Sequence, residues 1–182
     1  MKITRNILPA IAILLAGVAP LAIAQTPRTP AQQRRAAMAA KEAEARAATP
    51  YKSAEIMSLG TPKLVEILKD ANATEFAKAK ACQRLAVVGD KTAVPALATL
   101  LANPKLSHYA RFGLEPISDP SANAALRDAL GDLKGNLLIG VINSIGRRKD
   151  PEALDALAKL MHGDDHDVAE AARAALGRVR SP

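Results

Sequence analysis

The sequence predicts an all-α fold: a short right-handed α-solenoid of about four helix pairs with an N-terminal capping helix. Three observations support this prediction. Residues with helix N-cap chemistry recur at spacings of 29, 29 and 31 residues, apolar residues follow each cap along one helical face, and a second apolar stripe precedes each following cap. One helix pair cannot bury two such stripes alone, whereas stacked pairs form a continuous core.

Four residues have the position and chemistry of helix N-caps: Thr61, Asp90, Asp119 and Asp150. Three of them precede proline, which is well tolerated at the first helical position because an N–H there has no intrahelical partner. The helix pairs then fall near 61–89, 90–118, 119–149 and 150–180. Turn-forming residues separate the two helices of each pair, at 72–74, 103–105, 131–135 and 163–165.

The apolar positions predict which residues form the core. In the first helix of each pair they fall four, seven and eleven residues after the cap, at Val65, Leu68, Val94, Leu97, Leu101, Leu126, Leu130, Leu154, Leu157 and Met161. In the second helix they trace another face, at Ala77, Ala81, Leu85, Val88, Leu106, Ala110, Leu114, Ile117, Leu137, Val141, Ile145, Val168, Ala172, Leu176 and Val179.

The first 24 residues predict a secretory signal peptide. A basic start is followed by an apolar run, residues 7–23, which two prolines interrupt. Ala22-Ile23-Ala24 provides the small residues that a signal peptidase needs, so cleavage is expected between Ala24 and Gln25. The run is shorter than the roughly 20 residues of a membrane span. We therefore expect a periplasmic or secreted protein with no stable membrane anchor after cleavage.

Residues 25–50 form a leader rich in alanine and arginine, which is predicted to be helical or disordered because it has strong helix formers but no apolar face beyond alanine. Residues 53–59 predict the capping helix, which Gly60 ends. The repeat array is expected to span 51–182.

The charge of the chain is unevenly distributed along the sequence. The formal net charge is +7, but residues 51–182 hold 18 basic and 16 acidic residues, so the array is nearly neutral. Phosphate binding needs a basic stripe on the folded surface, and the sequence pattern reveals none. The chain also has no Trp and only four Tyr and Phe residues, too few for base-stacking platforms. We therefore expect no nucleic-acid partner.

The segment 81–97, ACQRLAVVGDKTAVPAL, resembles a HEAT repeat, and its period of about thirty residues is similar to that of the short HEAT-like repeat first named for phycobilisome lyases. The resemblance covers Thr61 to about Val179. A second block, which begins SHYAR at Ser107 and continues to Arg127, resembles a recurrent block in exported bacterial HEAT-repeat proteins. This resemblance implies the solenoid fold but not the lyase activity, because nothing in the chain resembles a bilin site.

In HEAT-like arrays the second helices usually line the concave face, which implies where a partner would bind. The side chains predicted to point away from the core there include Phe112 and Ile139, which would form a shallow apolar patch with a polar rim. Apolar patches of this kind often mark partner sites, although a neighbouring layer could equally cover them. The predicted partner-binding residues are Gln83, His108, Phe112, Glu115, Ile139 and Asn143.

Other constellations have simpler structural interpretations. Arg111 and Glu115 are four residues apart on one helix and can form an ion pair. The basic run at 147–149 ends a helix, where cations offset the helix dipole. Cys82 flanks the core stripe and predicts a buried thiol. A weak alternative metal site comprises His162, Asp164, Asp165 and His166, but an acid in this turn more simply caps the following helix.

No catalytic motif is evident: there is no Gly-x-Ser-x-Gly elbow, no phosphate-binding Gly-rich loop and no His-Glu-x-x-His pair. The sequence therefore predicts a non-enzymatic exported scaffold without a cofactor, which binds a protein or peptide on its concave face. Two alternatives are an accessory subunit of an exported enzyme and a DNA-contacting HEAT protein of the alkyl-base glycosylase kind. The signal peptide and the near-neutral array count against the second.

Overall fold

A computed structural model describes residues 29–48 and 52–181, so the predicted signal peptide and its cleavage position lie outside the described residues. The chain divides into two compact units, 1–38 and 39–182. All regular structure in the described ranges is helical: α1 Pro30–Ala48, α2 Ser53–Ser58, α3 Thr61–Lys69, α4 Glu75–Val88, α5 Val94–Ala98, α6 Ser107–Leu114, α7 Pro120–Asp128, α8 Gly135–Arg148, α9 Leu154–Met161 and α10 His166–Arg180. Short 3-10 turns at Lys91–Ala93 and Pro151–Ala153 precede α5 and α9. No helix in these ranges is long and apolar enough to cross a membrane.

Helix α1, Pro30–Ala48, lies within the leader segment 25–50. Thr29 and Gln32 form a capping box at its start: the Thr29 N–H donates to the Gln32 side chain at 2.8 Å, and the Gln32 N–H donates to the Thr29 hydroxyl at 3.3 Å. Between residues 29 and 41 the side chains are exposed apart from the half-buried Ala36. The helix therefore begins at a specific cap but has no apolar face, as its composition predicts.

Three of the four predicted caps are confirmed. The carboxylates of Asp90, Asp119 and Asp150 each accept a hydrogen bond from the backbone N–H two residues later, at 2.8, 2.9 and 3.2 Å. The same chemistry recurs at the start of α10, where the N-cap residue Asp165 accepts from the N–H groups of Asp167 and Val168. These carboxylates satisfy backbone donors that the first helical turn leaves unpaired.

The predicted cap at Thr61 is wrong. Gly60 occupies the cap position in an extended conformation, and Thr61 is the first residue of α3. The Thr61 hydroxyl is instead buried and donates to the Val88 carbonyl of α4 at 2.9 Å. The register of α3 therefore shifts by one residue, so Leu64 is fully buried whereas Val65 is only half-buried.

The core lies between the first helices (α3, α5, α7 and α9) and the second helices (α4, α6, α8 and α10). The predicted stripe of the second helices is confirmed in its centre, where Ala81, Leu85, Ala110, Leu114, Val141, Ile145 and Ala172 are buried. The capping helix α2 is also confirmed, since its Ile56 is fully buried and α2 packs against α4.

The second helices pack against each other in chain order, α4 on α6, α6 on α8 and α8 on α10. Small residues permit their close approach. A Cβ atom on Gly146 of α8 would lie 2.9 Å from the Ala175 Cα of α10, and one on Gly113 of α6 would lie 3.2 Å from the Cys82 carbonyl oxygen of α4. The all-helical array of the second unit is consistent with an α-solenoid.

Candidate binding face

A shallow groove opens on the second helices beside Phe112 of α6. Its volume is about 330 Å³, and its lining residues are Ala86, Phe112, Glu115, Pro116 and Arg147. Phe112 is 47% exposed, although a side chain of its size and apolarity is usually buried. Val87, next to Ala86 in the chain, is a second large apolar side chain that is exposed. This groove, called the Phe112 groove below, is the candidate binding site.

The structure brings together only two of the predicted partner-binding residues, Phe112 and Glu115, in the lining of the groove. Ile139 is half-buried and packs against the core, so a substitution there would disturb the fold as well as the surface. Three polar residues predicted for this face have contacts on the second helices: Gln83 accepts from Lys80, Asn143 accepts from Arg178, and His108 meets the Tyr109 ring edge-on.

The predicted ion pair between Arg111 and Glu115 does not form. Glu115 instead bonds to α8, where its carboxylate accepts from the Ser144 hydroxyl at 2.8 Å and from Arg147 Nη1 at 2.9 Å. The reason is that the Arg111 guanidinium turns onto α8, where it donates to the Gly140 carbonyl at 3.1 Å and to Ser144 Oγ at 3.3 Å. Helix packing therefore replaces the pair that the spacing within the helix suggested.

Gly140 makes this position of Arg111 possible. A Cβ atom at residue 140 would lie 2.8 Å from both Cζ and Nε of Arg111. The Arg111 Nε atom is buried without a hydrogen-bond partner. Burial lowers the pKa of Arg111, and the nearby Glu115 carboxylate opposes that shift. The guanidinium is thus fixed by α8 and is only half-buried, so its charge lies close to the surface.

Arg148 also has a role that its own helix does not reveal. From the sequence, the basic run at 147–149 is expected to offset the dipole of the helix that it ends. Arg148 Nη1 instead reaches the end of α6 and donates to the carbonyls of Leu114, Glu115 and Ile117, at 3.0, 2.6 and 2.7 Å. Burial lowers the pKa of Arg148, while Asp150 and Glu115 act in the opposite direction. Arg148 therefore caps the preceding second helix.

The acidic residues of the second unit lie mostly outside its second helices, many of them in caps and loops. The second helices carry nine basic residues, which are Lys78, Lys80, Arg84, Arg111, Arg147, Arg148, Arg173, Arg178 and Arg180. They carry three acidic residues, which are Glu75, Asp167 and Glu170. The near-neutral total for residues 51–182 therefore conceals a basic surplus on the second helices, which corrects the impression of an evenly neutral array.

A second groove of about 490 Å³ lies between the loops at 89–92 and 116–119. Its two carboxylates, Asp90 and Asp119, are already engaged as helix caps. Hydrogen bonds from the side chain and backbone N–H of Thr92 lower the pKa of Asp90, and those of Ser121 lower the pKa of Asp119 in the same way. These two carboxylates thus serve the fold.

The residues of the weak metal alternative are separately engaged or exposed. Asp165 caps α10, His162 follows the end of α9, and Asp164 and His166 are exposed. Within 29–48 and 52–181, no group of three or more His, Cys, Asp and Glu side chains is placed to hold a metal ion. Cys82 is buried as predicted, and burial raises the pKa of its thiol to about 12.

Residues 102–177 match the family model of HEAT repeats. This match supports a HEAT-repeat protein. The matched segment contains α6 to α9 and most of α10, and therefore includes Phe112 and the Arg111, Ser144 and Glu115 contacts beside the groove. No curated protein matches the chain. The HEAT-repeat match supports this kind of scaffold for the Phe112 groove, but it names no ligand for it.

Proposed function

We propose that this chain is a non-enzymatic scaffold that binds a protein or peptide on its second helices, with Phe112 as the central contact. HEAT repeats commonly mediate protein–protein interaction. The observation that carries the proposal is the half-exposed Phe112 ring beside an open groove. Aromatic side chains dominate the energetics of many protein interfaces because they bury a large rigid area.

The proposal extends to the setting of the scaffold. The array is a right-handed solenoid of about four short HEAT-like pairs, and its second helices line the concave side, as is usual in HEAT-like arrays. Cleavage between Ala24 and Gln25 releases it to the periplasm or the exterior. The signal-peptide pattern of residues 1–24 and the HEAT-repeat match over residues 102–177 support this setting.

The groove geometry favours a protruding side chain over a flat partner surface. Ala86, Phe112 and Pro116 provide apolar walls, while Glu115 and Arg147 provide a charged rim. Covering the exposed half of Phe112 would contribute about 1 kcal/mol from apolar burial. An inserted side chain would add its own buried area, so a short peptide segment suffices for specific binding.

The test is capture from a periplasmic extract by the full chain, with a Phe112→Ser variant beside it. The matched control is Met57→Ser, which also removes an exposed apolar side chain but lies on α2. We expect a partner that wild type and Met57→Ser retain and Phe112→Ser loses, while the three melting temperatures agree. A partner retained by Phe112→Ser would contradict the proposed site.

A further inference from the structure

We infer that the partner segment is acidic: an apolar side chain enters the Phe112 groove, and an adjacent carboxylate pairs with Arg147. This inference rests on the proposed function and specifies the chemistry of its ligand. It follows from the balance of charges that the packing of α6 against α8 creates beside the groove.

Three guanidinium groups, those of Arg111, Arg147 and Arg148, lie around the Glu115 carboxylate, and Asp150 is a second carboxylate close to Arg148. Arg147 pairs with Glu115, Arg148 donates to the Glu115 backbone carbonyl, and Arg111 lies close enough to interact electrostatically with the Glu115 carboxylate. The hydrogen bonds of Arg111 go to a hydroxyl and a carbonyl, which carry no net charge. Glu115 pairs with Arg147, and Asp150 pairs with Arg127, so the positive charges beside the groove outnumber the carboxylates.

Arg147 is the group that can meet a ligand directly. Its side chain is 72% exposed, whereas the Glu115 side chain is 13% exposed. The ion pair with Glu115 uses Nη1, and a guanidinium can bind a second carboxylate through its remaining N–H groups. Glu115 therefore holds Arg147 at the rim of the groove and leaves it able to bind an anionic group.

The same geometry favours an acidic polypeptide over a nucleic acid. Arg111 and Arg148 are half-buried and bonded to α8 and α6, so they add to the positive potential but are not free to follow a phosphate backbone. Nucleic-acid affinity depends on many direct phosphate contacts. A single rim arginine beside apolar walls instead matches one carboxylate next to one apolar side chain, and the basic second helices would steer such a segment toward the groove.

The experiment uses the full chain and three fluorescent peptides with the same leucine and phenylalanine anchors, flanked by glutamate, glutamine or lysine. We expect the glutamate peptide to bind roughly two- to fivefold more tightly than the glutamine peptide, which is the effect of about one exposed ion pair. Arg147→Gln should remove that advantage, and Phe112→Ser should weaken all binding. The matched control is Lys159→Gln on α9, which removes an exposed charge from a first helix and should change nothing.

Other outcomes would overturn the inference. If the glutamate and glutamine peptides bind equally and both need Phe112, the groove binds peptides but the acidic preference is wrong. Stronger binding of the lysine peptide, or of a single-stranded oligonucleotide, would reject an acidic polypeptide. Failure of all three peptides would also reject it, while capture from the extract still tests the proposed function separately. Arg178→Gln on α10 is a second control: it removes another exposed arginine of the second helices, but one that does not line the groove. Melting curves verify that each variant is folded.

Discussion

Gly140 lies directly beneath the guanidinium of Arg111, and this contact leads to a testable prediction. In Gly140→Ala the new Cβ would lie 2.8 Å from Arg111, so the end of this side chain must shift away from its hydrogen bonds to Gly140 and Ser144. Ser144 keeps its bond to Glu115 and the half-buried guanidinium can reach water, so the change removes about one hydrogen bond, which contributes about 0.5 to 1.5 kcal/mol. We expect the free energy of unfolding of Gly140→Ala to lie below that of Gly177→Ala by about this amount, as measured by urea denaturation.

Gly177→Ala is the matched control for this prediction. Gly177 also lies within a second helix, but a Cβ there meets nothing within 4 Å. Because alanine favours the helix over glycine by up to ~1 kcal/mol, this variant should be neutral or more stable. Equal losses in both variants would mean that the contact with Arg111 is not the cause.

The residues of the site differ in how far the sequence could predict them. Helical spacing alone predicts that Phe112 is exposed and that Cys82 is buried, because each position follows from the apolar stripe of the helix to which it belongs. The partners of Arg111 could not be obtained in this way. Gly140 and Ser144 lie 29 and 33 residues further along the chain, and only the packing of α6 on α8 brings them together.

At the level of helices, Arg148 links α8 to the end of α6 and gives a second prediction. Arg148→Met keeps much of the side-chain volume but removes the donor shared by the carbonyls of Leu114, Glu115 and Ile117. We expect a loss of about 1 to 3 kcal/mol in the free energy of unfolding, because the carbonyls of Glu115 and Ile117 would lose this donor, whereas that of Leu114 still accepts from the Ile117 N–H. Thermal and urea denaturation measure it.

Arg180→Met is the comparison for Arg148→Met. Arg180 is exposed in the last turn of α10, so removing its charge tests the favourable effect of a cation near a helix C-terminus without a bridge to another helix. The free energy of unfolding should fall much less in Arg180→Met than in Arg148→Met. A similar loss in the two variants would assign the effect of Arg148 to the dipole of its own helix.

The start of α3 shows why helix boundaries are harder to predict than the helices themselves. Gly60 and Thr61 both suit an N-cap, and Pro62 fits the first turn with either choice. The sequence alone cannot decide between them. The packing does, because the Thr61 hydroxyl is buried against α4 and bonds to Val88, which leaves Gly60 at the cap. Gly89 and Ser118 likewise precede Asp90 and Asp119, but there the aspartate carboxylate accepts the N–H two residues later, so the predicted caps at Asp90, Asp119 and Asp150 are confirmed.

For the second unit as a whole, the distribution of charge matters more than its sum. A near-neutral total over residues 51–182 suggested an evenly neutral surface, yet the basic residues concentrate in the second helices. The basic residues of each helix can be counted from the sequence. Their combined effect cannot, because it arises from the side-by-side packing of α4, α6, α8 and α10, which brings charges that are far apart in the chain into one electrostatic potential.

The stepwise packing of the second helices predicts which helices lose stability when one helix contact is disturbed. In Gly146→Ala the new Cβ would lie 2.9 Å from the Ala175 backbone, so α8 and α10 must separate, at a cost of about 1 to 3 kcal/mol. In a repeat array each pair depends mainly on its neighbours. We therefore expect hydrogen exchange to accelerate most in the amides of α9 and α10 and least in those of α3 and α4, as measured by mass spectrometry. Gly177→Ala should accelerate neither region. Uniform acceleration from α3 to α10 would instead show that the array opens as one cooperative unit, because a local separation would then destabilise every helix equally.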